Sequence, residues 1–88
     1  MVHMPFEDEL AWVPEAWDAY RSAPSKTRSA LAMVMARIAE HPEDQFVRRR
    51  RMHNPVLFVA NVPGEDWVVM WRLGEEVPEI HYVGRDPF

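Results

Sequence analysis

Four arginines stand in a row at Arg48–Arg51, with His53 two places on, and Arg72, His81, Tyr82 and Arg85 follow downstream. These residue types suit metal-free cleavage of RNA. That reaction activates a ribose 2′-hydroxyl, stabilises a five-coordinate phosphorus and protonates a leaving 5′ oxygen. Its first and last steps call for a group that titrates near neutrality, such as histidine. Its middle step calls for arginine, whose planar fork matches phosphate oxygens. No His/Asp/Glu spacing amounts to a metal site, and the absence of cysteine removes thiolate zinc. No cofactor is expected.

Each candidate also has a plainer reading. A basic run can simply be a solvated strand, or an edge strand whose charge blocks unwanted pairing. Strand alternation sends Arg48 and Arg50 one way and Arg49 and Arg51 the other, so only two can meet a given ligand. Adjacent like charges repel, and an anionic partner, RNA or an acidic protein, relieves that cost. Arg72 can be a strand-end arginine with a packed stem and a wet head. His81 gains interest because Arg72 lies on the neighbouring strand. His53 reads as a turn residue before Asn54-Pro55. Trp67 and Trp71 could stack on bases, but with Val69 and Leu73 they read as the core face of a strand. Trp12 and Trp17 are core by default.

The elements that must position these groups follow from period and punctuation. Glu9–Val13 reads as a short buried strand. Pro14 opens a helix that ends near Ala23, with Ala16, Trp17 and Tyr20 on one face. Ser25 is an N-cap for the clearest helix, whose stripe is Leu31, Val34, Met35 and Ile38, closed by Pro42. The short connection predicts an antiparallel helix hairpin. The period then turns strand-like. Strands are expected at Gln45–Met52, Pro55–Val62, Trp67–Leu73 and Glu79–Gly84, the last with Ile80 and Tyr82 on one face and Glu79, His81 and Val83 on the other. Short connections make a meander. The expected class is α+β: a two-helix hairpin packed on a mainly antiparallel sheet, in the order β-α-α-β-β-β-β.

The totals bound this reading. Eighty-eight residues with 48% apolar content and four tryptophans make a single globular domain with a thin core, 1–88. Residues 1–5 read as disordered or as an expression remnant. No apolar run is long enough to span a membrane, and the absence of cysteine fits a reducing, cytoplasmic setting. The net charge is −4. The acid is concentrated in the N-terminal half, where residues 1–44 hold eight acidic and four basic groups, and the C-terminal half balances six against six. An acidic total argues against indiscriminate nucleic-acid binding and leaves room for a local basic site.

The stretch LAWVPEAWDAYRSAPSKTRSALAMVMARIAEHP, Leu10–Pro42, resembles the opening of the RelE/ParE family of bacterial type II toxins. The basic strand, hydrophobic strand, Gly-Asp-type turn, aromatic strand and final VGR-D match it in outline, over nearly the whole chain. The resemblance implies a toxin held by a cognate antitoxin, and in the RelE-like branch an mRNA endoribonuclease working on the ribosome. The arginine run lies where such chains place RNA-contacting residues. On this reading His81, Arg72 and Arg85 are catalytic, and Arg48, Arg49, Arg50, Arg51, His53 and Tyr82 bind RNA phosphate or a partner. Val68 stands where the nucleases carry an arginine, and Phe88 where they carry a tyrosine. These two positions favour an alternative that works by protein binding alone: a ParE-like inhibitor of DNA gyrase, or a chain that keeps only antitoxin binding. A homodimer is a further possibility for so thin a core.

Overall fold

The structure is a computed structural model and describes residues 9–53 and 56–88. Residues 1–5, His3 among them, and the expected strand start at Pro55 lie outside the described residues. Two helices follow a short first strand, and four further strands complete the chain. The elements are β1 (Ala11–Trp12), α1 (Pro14–Ser22), α2 (Ser25–Glu40), β2 (Arg50–His53), β3 (Val56–Asn61), β4 (Trp67–Leu73) and β5 (Pro78–Arg85). The sheet order is β1-β5-β4-β3-β2. Only β1 runs parallel to its neighbour, β5; the remaining pairs are antiparallel. The expected α+β class and element order hold.

Both helices are set by their ends and their apolar stripes. Pro14 occupies the first turn of α1, where no N–H is needed, and Glu15 faces the positive end of the dipole. Arg28 of α2 reaches back to donate to the carbonyls of Arg21 and Ala23 at the C-terminal end of α1. Ser25 is not the N-cap expected of it. Pro24 holds that place, and no side chain caps α2. Leu31, Val34, Met35 and Ile38 are all buried, as their spacing requires. Buried Thr27 ties α2 to the β3–β4 turn by donating to Glu65 at 2.6 Å.

The core lies between the helices and one face of the sheet. Trp71, Ile80, Val69, Val83 and Ala60 meet the helical stripe there, with Phe58 and Trp67 packed alongside. Trp12, Trp17 and Tyr20 form an aromatic group beside it, with centroids 5.4 to 5.8 Å apart. Leu73, expected on this face, is exposed. A second, smaller cluster of Leu57, Val59, Val68 and Met70 lies on the opposite face, flanked by Met52 and Tyr82.

Two strand expectations are corrected. The first concerns Gln45–Met52, of which only Arg50–His53 is strand, extended by one residue beyond Met52. Asp44 accepts from the Phe46 backbone N–H at 2.8 Å, and Val47 and Arg48 donate back to Asp44 and Gln45. This local bonding holds residues 44–48 in successive turns and competes with the sheet ladder. The second concerns the face assignment in β5. Met70 pairs with Tyr82 and Trp71 with Ile80, so His81 is an extra residue in the ladder. Such a bulge shifts the alternation. Ile80 and Val83 therefore both join the helix-side core, and Tyr82 goes to the other face.

Candidate functional site

Ordinary strand alternation puts His81 on the side of Glu79, two residues back, and Glu79 pairs directly with Arg72 across the β4–β5 ladder. The bulge redirects the residues that follow, Tyr82 and Val83. One carboxylate oxygen, Glu79 Oε1, accepts from Arg72 Nε at 2.7 Å and from His81 Nε2 at 3.1 Å. Arg72 is more than half exposed, while Glu79 and His81 are about one-third exposed. The Arg72 bond comes first, and the His81 bond second, in holding the Glu79 carboxyl below its ordinary range; partial burial opposes both. An open cavity of about 540 Å³ adjoins the group, lined by Ala11, Arg72 and Glu79 and by the β4–β5 loop with Glu75 and Glu76. Arg72 and His81, singled out separately in the sequence, are brought together. The group that joins them, Glu79, was missed as a functional residue. Its signal was the i, i+2 spacing to His81 opposite an arginine.

The arginine run is divided differently from what alternation implies. Arg48 lies before the strand, donates to the Pro42 carbonyl, and stacks over Phe58 at 4.5 Å and Trp71 at 5.8 Å. Arg51 approaches the same Phe58 ring at 5.2 Å. Arg48 and Arg51 therefore share a side, because the turn ahead of Arg50 interrupts the strand period. Cation–π contact and a carbonyl bond hold Arg48 in a structural setting.

Arg50 goes to the other face. Its Nη2 donates to Asn61 at 2.7 Å and to Asp86 at 3.1 Å, and its guanidinium lies 5.1 Å from the Phe88 ring. Arg50 Nε is buried and has no acceptor among the described residues. The Asp86 carboxyl is held below its ordinary range, mainly by the Phe88 backbone N–H and further by Arg50. A second cavity, about 450 Å³, lies between Arg50, Arg51, Val59 and Phe88. Neither Asp86 nor Phe88 was paired with the arginine run in the sequence, and no local spacing signals a contact across 36 residues.

The remaining candidates stand apart. Arg49 and Arg51 are exposed and make no ion pair among the described residues. His53 ends β2 opposite Val56 and is a strand residue, not a turn residue. Tyr82 turns its hydroxyl back to the Arg85 carbonyl at 2.7 Å, passing over Gly84, where a Cβ would meet that hydroxyl at 2.8 Å. The Arg85 side chain is exposed, with Asp66 at 3.7 Å. Among the described residues no group of three or more His, Asp or Glu side chains gathers as metal ligands. No helix there is long and apolar enough to cross a membrane.

Chemically, the surface offers two kinds of equipment. One is a histidine whose Nε2 is bound to a carboxylate. The other is a set of arginines, two exposed and one already bridged to an acid. The register Arg50–Val59–Met70–Tyr82 separates the Arg50 group from Tyr82 by three strand spacings, roughly 14 Å.

No family model matches the sequence, and a search of curated proteins likewise returns no match. Among solved structures, the chain is similar to a chain of the intact E. coli RelBE toxin–antitoxin complex. The TM-score is 0.71 at 18% identity, over 90% of this chain and 96% of that one. The fold is RelE-like, as the resemblance in the sequence implied.

Proposed function

We propose that this chain is the toxin of a type II toxin–antitoxin pair and that it cuts mRNA on the ribosome without a metal. The observation that carries the reading is the single Glu79 carboxylate oxygen that joins His81 to Arg72 on a RelE-like sheet. Here His81 is the acid–base group. Arg72, whose Nε alone is engaged by Glu79, offers its remaining N–H groups to phosphate. Arg49 and Arg51 hold the RNA backbone, and Arg50 joins them when Asp86 gives way. Arg85, exposed at the end of β5, is a further phosphate contact. The partner that silences the toxin is a cognate antitoxin, as the RelBE complex suggests by likeness. The cytoplasm is where such a pair meets ribosomes.

In the reaction, the 2′ oxygen bonds to phosphorus while the phosphorus–5′-oxygen bond breaks. The proton of the 2′-hydroxyl passes to His81, the 5′ oxygen takes a proton from water, and the imidazolium returns its proton to the hydroxide so formed. The products are a 2′,3′-cyclic phosphate and a 5′-hydroxyl.

The test is a cell-free translation reaction with the purified chain, mapping new 5′ ends on the mRNA. Cuts in phase with codons and dependent on ribosomes are expected, and His81→Ala and Arg72→Ala should each abolish them with the fold intact. Intact mRNA and normal protein output would sink the reading. A second reading, action by protein binding alone on gyrase or an antitoxin, is favoured by one observation: the Asp86 carboxylate already neutralises Arg50. Gyrase and antitoxin binding would then be measured next.

A further inference from the structure

We propose that Glu79 is the positioning residue of this site: by accepting from His81 Nε2 and Arg72 Nε on one oxygen, it leaves His81 Nδ1 as the nitrogen that meets the RNA. The inference rests on the RNA-cleavage reading and adds to it a tautomer, a reacting atom and a residue that touches no substrate.

An ionised carboxylate only accepts hydrogen bonds, so the His81 nitrogen 3.1 Å from Glu79 Oε1 must be the protonated one. In the neutral ring the other nitrogen, Nδ1, then carries the lone pair. A base held by a carboxylate on its far nitrogen has one orientation and one reactive atom. The Arg72 bond to the same oxygen, at 2.7 Å, fixes the carboxylate in turn. The order of control runs from Arg72 to Glu79 to His81.

The local backbone is built around this carboxylate. The register places Glu79 directly opposite Arg72, and the two-residue spacing from Glu79 to His81 puts both on the same side. Gly74, at the start of the loop, leaves the space the Glu79 side chain uses. A Cβ on Gly74 would lie 2.9 Å from Glu79 Oε2 and 3.0 Å from its Cγ, and would collide with the Val77 carbonyl. The charged groups facing His81 are Glu79 on its own strand and Arg72 on β4. Glu75 and Glu76 line the adjoining cavity.

The experiment has two arms. The first uses the free protein and nitrogen NMR of the His81 ring, with a carbon titration of the Glu79 carboxyl. A proton on Nε2, and a Glu79 midpoint that climbs in both Arg72→Ala and His81→Ala, are expected. A proton on Nδ1, or a Glu79 midpoint indifferent to His81→Ala, overturns the inference whatever the protein does to RNA. The second arm measures single-turnover cleavage of ribosome-bound mRNA, and binding of the same complex with a 2′-deoxy nucleotide at the cut. Glu79→Gln keeps an acceptor oxygen and removes the charge. It should leave binding within about twofold and slow cleavage by roughly 100-fold, the low end of what a positioned acid–base group supplies. Glu79→Gln cutting at the wild-type rate overturns the inference and leaves the cleavage reading standing. Wild type that cuts nothing overturns both. Glu79→Gln that loses binding and rate together marks a structural role and also overturns it.

Discussion

Arg50 and Asp86 are 36 residues apart in the chain and joined in the fold: Arg50 Nη2 donates to Asp86 Oδ2 at 3.1 Å. The bond links edge strand β2 to the segment after β5, and Phe88 covers the guanidinium from the same segment. The chain thus sets one of its own acids on one of the arginines best placed for an anion. Arg50 Nε stays buried without an acceptor among the described residues, so Asp86 uses only part of the fork. A phosphate oxygen could use more of it.

Removing the Asp86 charge should therefore strengthen anion binding. Asp86→Asn is expected to bind a short single-stranded RNA roughly three- to fivefold more tightly than wild type, on the scale of one exposed ion pair. Fluorescence anisotropy at fixed salt measures this. Unchanged or weaker binding would show that Arg50 faces no RNA. The pH sign follows from the depressed carboxyl. The Arg50–Asp86 contact contributes above the ordinary aspartate range and is lost as pH falls through the lowered value.

Trp71 is fully buried and donates from Nε1 to the Val47 carbonyl at 2.8 Å. That bond pins the turn ahead of β2 to the core, and Arg48 stacks above the ring. Trp71→Phe strips the donor and leaves a buried carbonyl without its partner. The expected loss is about 1–3 kcal/mol in urea unfolding. A loss well under that range would mean the turn relaxes to let water reach Val47.

The helices and their stripe were legible because Leu31, Val34, Met35 and Ile38 repeat at a period no strand shares. Trp67, Val69 and Trp71 announced the core face of β4 in the same way. Two local events broke the alternation rule. Asp44 turned the chain back on itself ahead of Arg50, and an extra residue at His81 shifted β5 by half a period. Neither leaves a mark in composition. Each moved a candidate: Arg48 to the side of Arg51, and Tyr82 away from Ile80. Glu79 was visible as a strand residue. What made it a partner for both Arg72 and His81 was the register across β4 and β5, which apolar pattern alone leaves open. Asp86 and Phe88 reach Arg50 through tertiary folding only.

The two turn glycines should respond differently to alanine. Gly64 has φ +77° with open space around its Cβ position, so Gly64→Ala meets only the left-handed backbone cost, about 1–2 kcal/mol. Gly74→Ala meets the Val77 carbonyl and the Glu79 side chain instead. Gly74→Ala is expected to alter the His81 and Glu79 NMR signals, and Gly64→Ala to leave them in place while lowering the unfolding midpoint. The reverse pattern would show that the β4–β5 loop absorbs the methyl without disturbing the site.

Arg49 and Arg51 supply the last test, because they are exposed cations without ion-pair partners among the described residues. Each phosphate neutralised on a single strand releases about 0.7 of a counterion. If both contact the backbone, the double substitution Arg49→Ala and Arg51→Ala should lower the slope of log affinity against log salt by about 1.4. Arg48→Ala should behave differently. Its guanidinium is committed to Phe58, Trp71 and the Pro42 carbonyl, so the expected effect is on stability, with the salt slope unchanged. Titrating RNA binding from about 50 to 200 mM salt separates the two outcomes. A flat slope in wild type would mean that the basic run answers to no phosphate, and its exposed charges would then be assigned to a protein partner.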